Sequence, residues 1–272
     1  MLTNRVTALV ALLCAACGTS VQPSDAALAA DVASADAVSG ADVEIVEPTS
    51  LVRVVHIPAF GTQPARTEAW AWLSLPDSAS PGAIDRDLGD CYHRRPAASS
   101  PRFYTDGTAS WGYQSVRRPM TLVEATGPFF GSARDAQPAA GDVVDVSLRG
   151  STFPDFALRA ELPGELTVSS HASGSSIPYP RRGEPFVIEW VVPAAPASVR
   201  ITIHWNDSDS LYCVVPATRG RFVMEEPLLD MFRDATTAQL VVSHAQVQRV
   251  VVGNRSLRYI VERRGVLATF ER

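Results

Sequence analysis

Val199-Arg200-Ile201-Thr202-Ile203-His204-Trp205 alternates apolar and polar side chains without a break. Successive residues of a strand point to opposite faces, so this segment is a strand with one buried and one polar face. Leu257-Arg258-Tyr259-Ile260-Val261-Glu262 follows a similar rhythm. Half-buried alternation of this kind belongs to antiparallel sheets. Outward from these two segments, apolar runs of similar length are separated by Pro, Gly, Asn and Asp clusters from Leu51 to the end of the chain.

The expected strands are 51–57, 68–75, 110–115, 120–125, 143–149, 156–161, 165–169, 185–192, 198–205, 211–215, 221–224, 238–243, 246–252, 257–262 and 266–270. One short helix is expected near 226–233: Glu225, Glu226 and Pro227 suit its start and Arg233 its end. Leu228, Met231 and Phe232 share its inward face. The expected fold class is all-β, an antiparallel β-sandwich over 51–272 with a point of subdivision near Pro163. The part after Pro163 has the strand count and turn spacing of an immunoglobulin-like sandwich. Trp190 and Cys213 are in place for such a core, without the Cys-Trp-Cys spacing of true immunoglobulin domains.

Ahead of the strands the composition changes. Residues 17–50 hold Asp25, Asp31, Asp36, Asp42, Glu44 and Glu47, no basic residue and no aromatic one. Such a segment cannot bury enough apolar surface to fold and is expected to be a disordered, acidic and Ala-rich tether. Before it, Arg5 precedes an apolar run from Val6 to Ala16 and then Cys17. The run is too short for a transmembrane helix, which needs about 20 residues, and suits a signal peptide over 1–16.

Ala15-Ala16-Cys17 resembles the bacterial lipobox, in which a small residue precedes a cysteine that receives lipid. The lipobox usually has Leu three residues before that cysteine, and here the position holds Cys14. The resemblance implies a bacterial lipoprotein with lipidation at Cys17, palmitate among its acyl chains, and membrane lipid as its first partner. Gly18 follows the cysteine, and in the Gram-negative pattern the absence of Asp there favours the outer membrane. The body is similar in layout to uncharacterised lipoproteins of GC-rich bacteria.

Of the four cysteines, Cys14 leaves with the signal and Cys17 takes lipid, so Cys91 and Cys213 remain. In an oxidising compartment two remaining cysteines pair, and a disulfide between them is expected. All 24 basic residues are Arg, which removes every mechanism based on a lysine. Beyond the tether, acidic and basic residues balance, so the footprint of a nucleic-acid partner is absent.

No catalytic motif stands out. The histidines His56, His93, His171, His204 and His244 are scattered, without metal-ligand spacing, and are expected at surfaces or strand edges. Asn206-Asp207-Ser208-Asp209-Ser210 and Asp85-Arg86-Asp87-Leu88-Gly89-Asp90 are oxygen-rich turns that lack a full calcium-loop pattern. No metal and no cofactor are expected. Arg94-Arg95, Arg117-Arg118, Arg181-Arg182 and Arg263-Arg264 are adjacent arginines beside Pro or Gly, read as solvated turns.

Trp70, Trp72 and Trp111 are the candidate ligand platform, although apolar Ala69, Ala71 and Leu73 also fit a strand buried on both faces. The functional expectation is a membrane-anchored cell-envelope protein serving as a non-catalytic binding or structural module, with a glycan or an envelope protein as its ligand. The rival expectation is an envelope hydrolase whose serine or carboxylate site is assembled only by the fold.

Overall fold

The computed structural model describes residues 50–75, 84–88, 90–94, 102–123, 127–191, 193, 197–205 and 209–271. The signal segment, Cys17 and the tether up to residue 49 lie outside the described residues, as do Arg95 and the turn residues Asn206, Asp207 and Ser208.

The architecture follows from two strands longer than the sequence suggests. Ala238–Val252 is a single 15-residue strand (β15), and Arg255–Glu271 is a single 17-residue strand (β16). At about 3.3 Å per residue each is roughly 50 Å long. They form a hairpin around Gly253, whose φ of 61° supplies the turn that a side chain would resist.

Strand β16 carries a bulge. Val242 faces Val266 and Ser243 faces Arg264, which leaves Gly265 without an opposite residue. A single extra residue reverses the inward set of a strand. Before the bulge Leu257, Tyr259 and Val261 point inward; after it Val266, Ala268 and Phe270 do. One face of the hairpin therefore covers two successive cores. A Cβ on Gly265 would come within 3.2 Å of Leu166 O and 3.3 Å of Val242 O, so the bulge fits closely against its surroundings.

The first core lies under the earlier half of β16. Next to β16 are Ser50–Ile57 (β1), Arg66–Trp72 (β2) and Phe129–Ala133 (β7), followed by Val116–Leu122 (β6), Thr108–Tyr113 (β5), Val143–Arg149 (β8) and Phe156–Glu161 (β9). The inward residues of this sheet, Val52, Val54, Ala69, Trp111, Val144, Val146 and Leu158, form one cluster with Leu257 and Tyr259. The Tyr259 hydroxyl donates to Val144 O at 3.0 Å and joins the two sides of the core.

The second core is a two-layer, immunoglobulin-like sandwich. One layer contains Ile84–Leu88 (β3), Cys91–Arg94 (β4), Asp209–Pro216 (β13), Ser198–Trp205 (β12), β15 and β16. The other pairs Phe186–Glu189 (β11) with Arg221–Met224 (β14). The helix is one turn, Glu226–Leu229 (α1), with Pro227 in its first turn, and it seats Leu229 in the core.

The chain is all-β, as expected, but its sheet is mixed. Strand β1 runs parallel to β16, and Ser176–Pro178 (β10) pairs with the end of β16 in the same sense. Three further expectations need correction. Residues 165–169 contribute only an isolated bridge, Val168 to Trp190. Strands β3, β7 and β10 fall outside the expected set. The two pairs of segments at 238–252 and 257–270 each merge into one strand, because Arg263-Arg264-Gly265 is a bulge and not a turn.

Candidate functional site

The face of the central sheet opposite the cores carries the site. Alternation places Tyr92 of β4, Tyr212 of β13, Arg200, Thr202 and His204 of β12, Ser243 of β15, Glu262 and Arg264 of β16, and Arg53 of β1 on it. Beyond Arg53 it continues into Glu68, Trp70 and Trp72 of β2 and Phe130 of β7. From β13 to β2 the row crosses six strands, about 24 Å.

Glu262 lies at its centre, fully buried although it faces away from both cores. Arg53 Nε donates to Glu262 Oε1 at 2.8 Å, and Arg200 Nη1 donates to Oε2 at 2.9 Å. Burial opposes ionisation of the carboxyl, but Arg53 and Arg200 outweigh it and hold its pKa at about 2. Arg200 stacks over Tyr212 at 5.1 Å, and Tyr212 stacks on Tyr92 at 5.3 Å.

A third guanidinium, Arg264, adjoins this pair of ion pairs. Its Nε is buried without a hydrogen-bond partner, and burial together with the charge of Arg53 pulls its pKa down. Three guanidinium groups thus surround one carboxylate, a local excess of positive charge. His204 registers that excess. Packing, then Arg200, Arg53 and Arg264, lower its pKa to about 4, so its ring is neutral at pH 7.

On the other side of Arg53 is an aromatic ledge. Trp70 and Trp72 lie on one face of β2 with their rings parallel, 5.2 Å apart and 9° from coplanar. Trp70 also packs on Phe130 at 4.1 Å. Both indoles are half-buried. Trp111 does not join them. It is 0% exposed and fills the first core against Gly131, where an added Cβ would come within 2.6 Å of the indole nitrogen. The apolar neighbours Ala69, Ala71 and Leu73 occupy the core side of β2, so only its other face is open.

Three histidines expected at surfaces are buried instead, because each satisfies an inward polar group. His56 Nδ1 lies 3.1 Å from Thr67 Oγ1, whose hydroxyl donates to Ala136 O. His244 Nδ1 donates to Gly164 O at 2.9 Å. His93 stacks on Trp205 at 5.3 Å and lies 3.5 Å from Asp209 Oδ1. His171, half-buried, stacks on Phe186, and His204 is exposed as its alternation requires.

The adjacent arginines also depart from the solvated-turn reading. Arg118 lies 5.6 Å over the Trp111 ring and pairs with Asp135 at 2.9 Å. Arg263 donates to Pro163 O and Pro138 O at 3.1 and 2.9 Å.

Cys91 and Cys213 are bonded, with Cα atoms 4.0 Å apart, just inside the usual span of bridged cysteines. Among the described residues no group of three His, Cys, Asp or Glu side chains is placed to hold a metal. A cavity of about 330 Å³ is lined by Cys91, Phe222, Pro227 and Leu228, and a cleft of about 550 Å³ by Arg159, Glu161, Gln246 and Gln248. Neither cavity includes a tryptophan.

Glu262, Arg53, Arg200, Arg264 and Tyr212 were not among the residues singled out from sequence. The available signal was a charge inside an alternating strand: Arg200 within Val199–Trp205, and Glu262 closing Leu257–Glu262.

No family model matches the chain, and no curated protein matches it in sequence. Among solved structures it is similar to a two fibronectin type-III domain segment from chicken tenascin. That match has 12% identity and a TM-score of 0.19, and covers 68% of this chain and 95% of that one. It is also similar to the FN1–FN3 domains of chicken CNTN1, at 10% identity and a TM-score of 0.21, covering 72% and 76%.

Proposed function

We propose that the protein is a lipid-anchored, non-catalytic binding module of the cell envelope, and that it holds its ligand on the sheet face around Glu262. The observation that carries this reading is the face itself: three arginines and two parallel indoles on rigid strands, with an excess of charge. Sites built on strands hold their geometry better than sites on loops. The lipobox resemblance at Cys17 supports the anchor, and the Cys91–Cys213 bond supports an oxidising compartment.

A hydrolase is the second reading, and one contact favours it: His204 Nδ1 lies 2.8 Å from Ser210 Oγ. The surrounding arginines argue against it, since they leave the imidazole a weak base.

Two measurements test the proposal. Replacing Cys17→Ser should move the protein from the membrane to the soluble fraction; retention of the variant on membranes overturns the anchor. Isolated envelope polysaccharide should quench the fluorescence of the wild-type protein and not that of Trp72→Ala. Equal quenching of both places the ligand elsewhere.

A further inference from the structure

We infer that the ligand of this face is a carboxylated oligosaccharide, whose sugar rings lie on Trp70 and Trp72 and whose acid groups reach Arg53 and Arg264. This rests on reading the face as the binding surface and adds the chemical class of what is bound.

The two halves of the site point to different parts of one molecule. Parallel indoles on one face of β2 form a flat apolar ledge. A pyranose ring has a flat C–H face that suits such a ledge, whereas its hydroxyls remain in water. Arginine is the side chain whose planar fork matches a carboxylate. Arg264 supplies a fork with an unused, buried Nε.

Distance sets the ligand's size. Trp70 is register-paired with Arg53, which is paired with Ile260, four residues along β16 from Arg264. Two strand spacings and four residue rises give a diagonal of about 16 Å. A single sugar cannot bridge that span; several linked rings can.

Glu262 selects among anions. It already occupies one Oε1 contact with Arg53 and one Oε2 contact with Arg200. It leaves a modest charge excess spread along the row, not a single concave cradle of donors. A chain with one charge per ring fits that distribution, and a compact polyphosphate meets the Glu262 carboxylate at close range.

The test is titration of the full chain in detergent micelles with an oligogalacturonate, followed by intrinsic fluorescence. Trp111, Trp190 and Trp205 are buried, which leaves Trp70 and Trp72 to report. The expected result is saturable quenching that weakens with salt, is lost with the methyl-esterified oligomer, and is weaker by about tenfold in Arg264→Gln and in Trp72→Ala. Equal binding of the methyl ester overturns the inference, because the acid is then not read. Undiminished binding by Arg264→Gln overturns it also.

Inositol hexakisphosphate is the control for anion class. If it binds with dependence on Arg264 and the oligogalacturonate does not, the saccharide assignment fails and the face remains a binding surface. If envelope polysaccharide quenches Trp72→Ala as well as wild type, the reading of the face fails with it.

Discussion

Cys91 and Cys213 sit directly opposite one another on neighbouring antiparallel strands, β4 and β13, although 122 positions separate them in the chain. Cys91 is 1% exposed and Cys213 0%, so the bond lies inside the second core. It holds a strand from the early, loop-rich part of the chain against the later sandwich. Removing it from both positions, Cys91→Ser with Cys213→Ser, should destabilise the fold by up to about 5 kcal/mol, the loop-closure entropy of so long a loop. Urea denaturation reads this as a lower midpoint. An unchanged midpoint, or free thiols in a non-reducing peptide map, would contradict it.

The sequence made this bond legible for a simple reason: an oxidising compartment and two remaining cysteines leave one pairing. The strands of the second core were legible too, because segments such as Val199–Trp205 alternate without interruption. The bulge at Gly265 was not. Its physical effect is to break the alternation for one residue, and in sequence Arg263-Arg264-Gly265 looks the same as a polar turn. Missing it divided β16 in two and concealed that one sheet spans both cores.

The site was half legible for the same reason. Trp70 and Trp72 stand two apart on one strand, which sequence shows. Trp111 was grouped with them by its proximity in sequence, but burial against Gly131 is a tertiary fact. The arginines came from β1, β12 and β16, and only the sheet order brings them around Glu262.

Glu262 makes the outer face testable by stability as well as by binding. Removing one partner from a buried ion pair leaves an uncompensated charge, at a cost of about 3–5 kcal/mol. Glu262→Gln should therefore lower the denaturation midpoint well beyond the effect of an ordinary surface change. Arg53→Met, Arg200→Met and Glu262→Leu combined should recover much of that loss, since no charge then remains buried. The carboxyl titrates lower in the folded state than in the unfolded chain, where about 4.5 is expected, and sits at about 2. Its contribution is present above pH 4.5 and is lost as the pH falls toward 2. Glu262→Gln should flatten that acid limb. A variant with wild-type midpoint and acid limb would show that the carboxylate is not desolvated.

His56 gives a separate pH signature at a milder range. The single hydroxyl proton of Thr67 is directed to Ala136 O at 2.8 Å, so Thr67 Oγ1 is the acceptor and His56 Nδ1 the donor. Burial, and then the charge of Arg263, lower the His56 pKa from 6.5 to about 4. The folded state therefore keeps the ring neutral while the unfolded chain gains a proton below about pH 6.5. Stability falls as the pH drops from 6.5 to 4, since the unfolded state binds more protons across that window. His204 titrates over the same window, near 4 in the folded protein, so two groups share the loss. Replacing His56→Gln, whose amide can still donate to Thr67, should remove part of the slope of melting temperature against pH between 6.5 and 4. Adding His204→Gln should remove more of it. If the slope in this window is unchanged in the double variant, neither imidazole is held neutral by the fold.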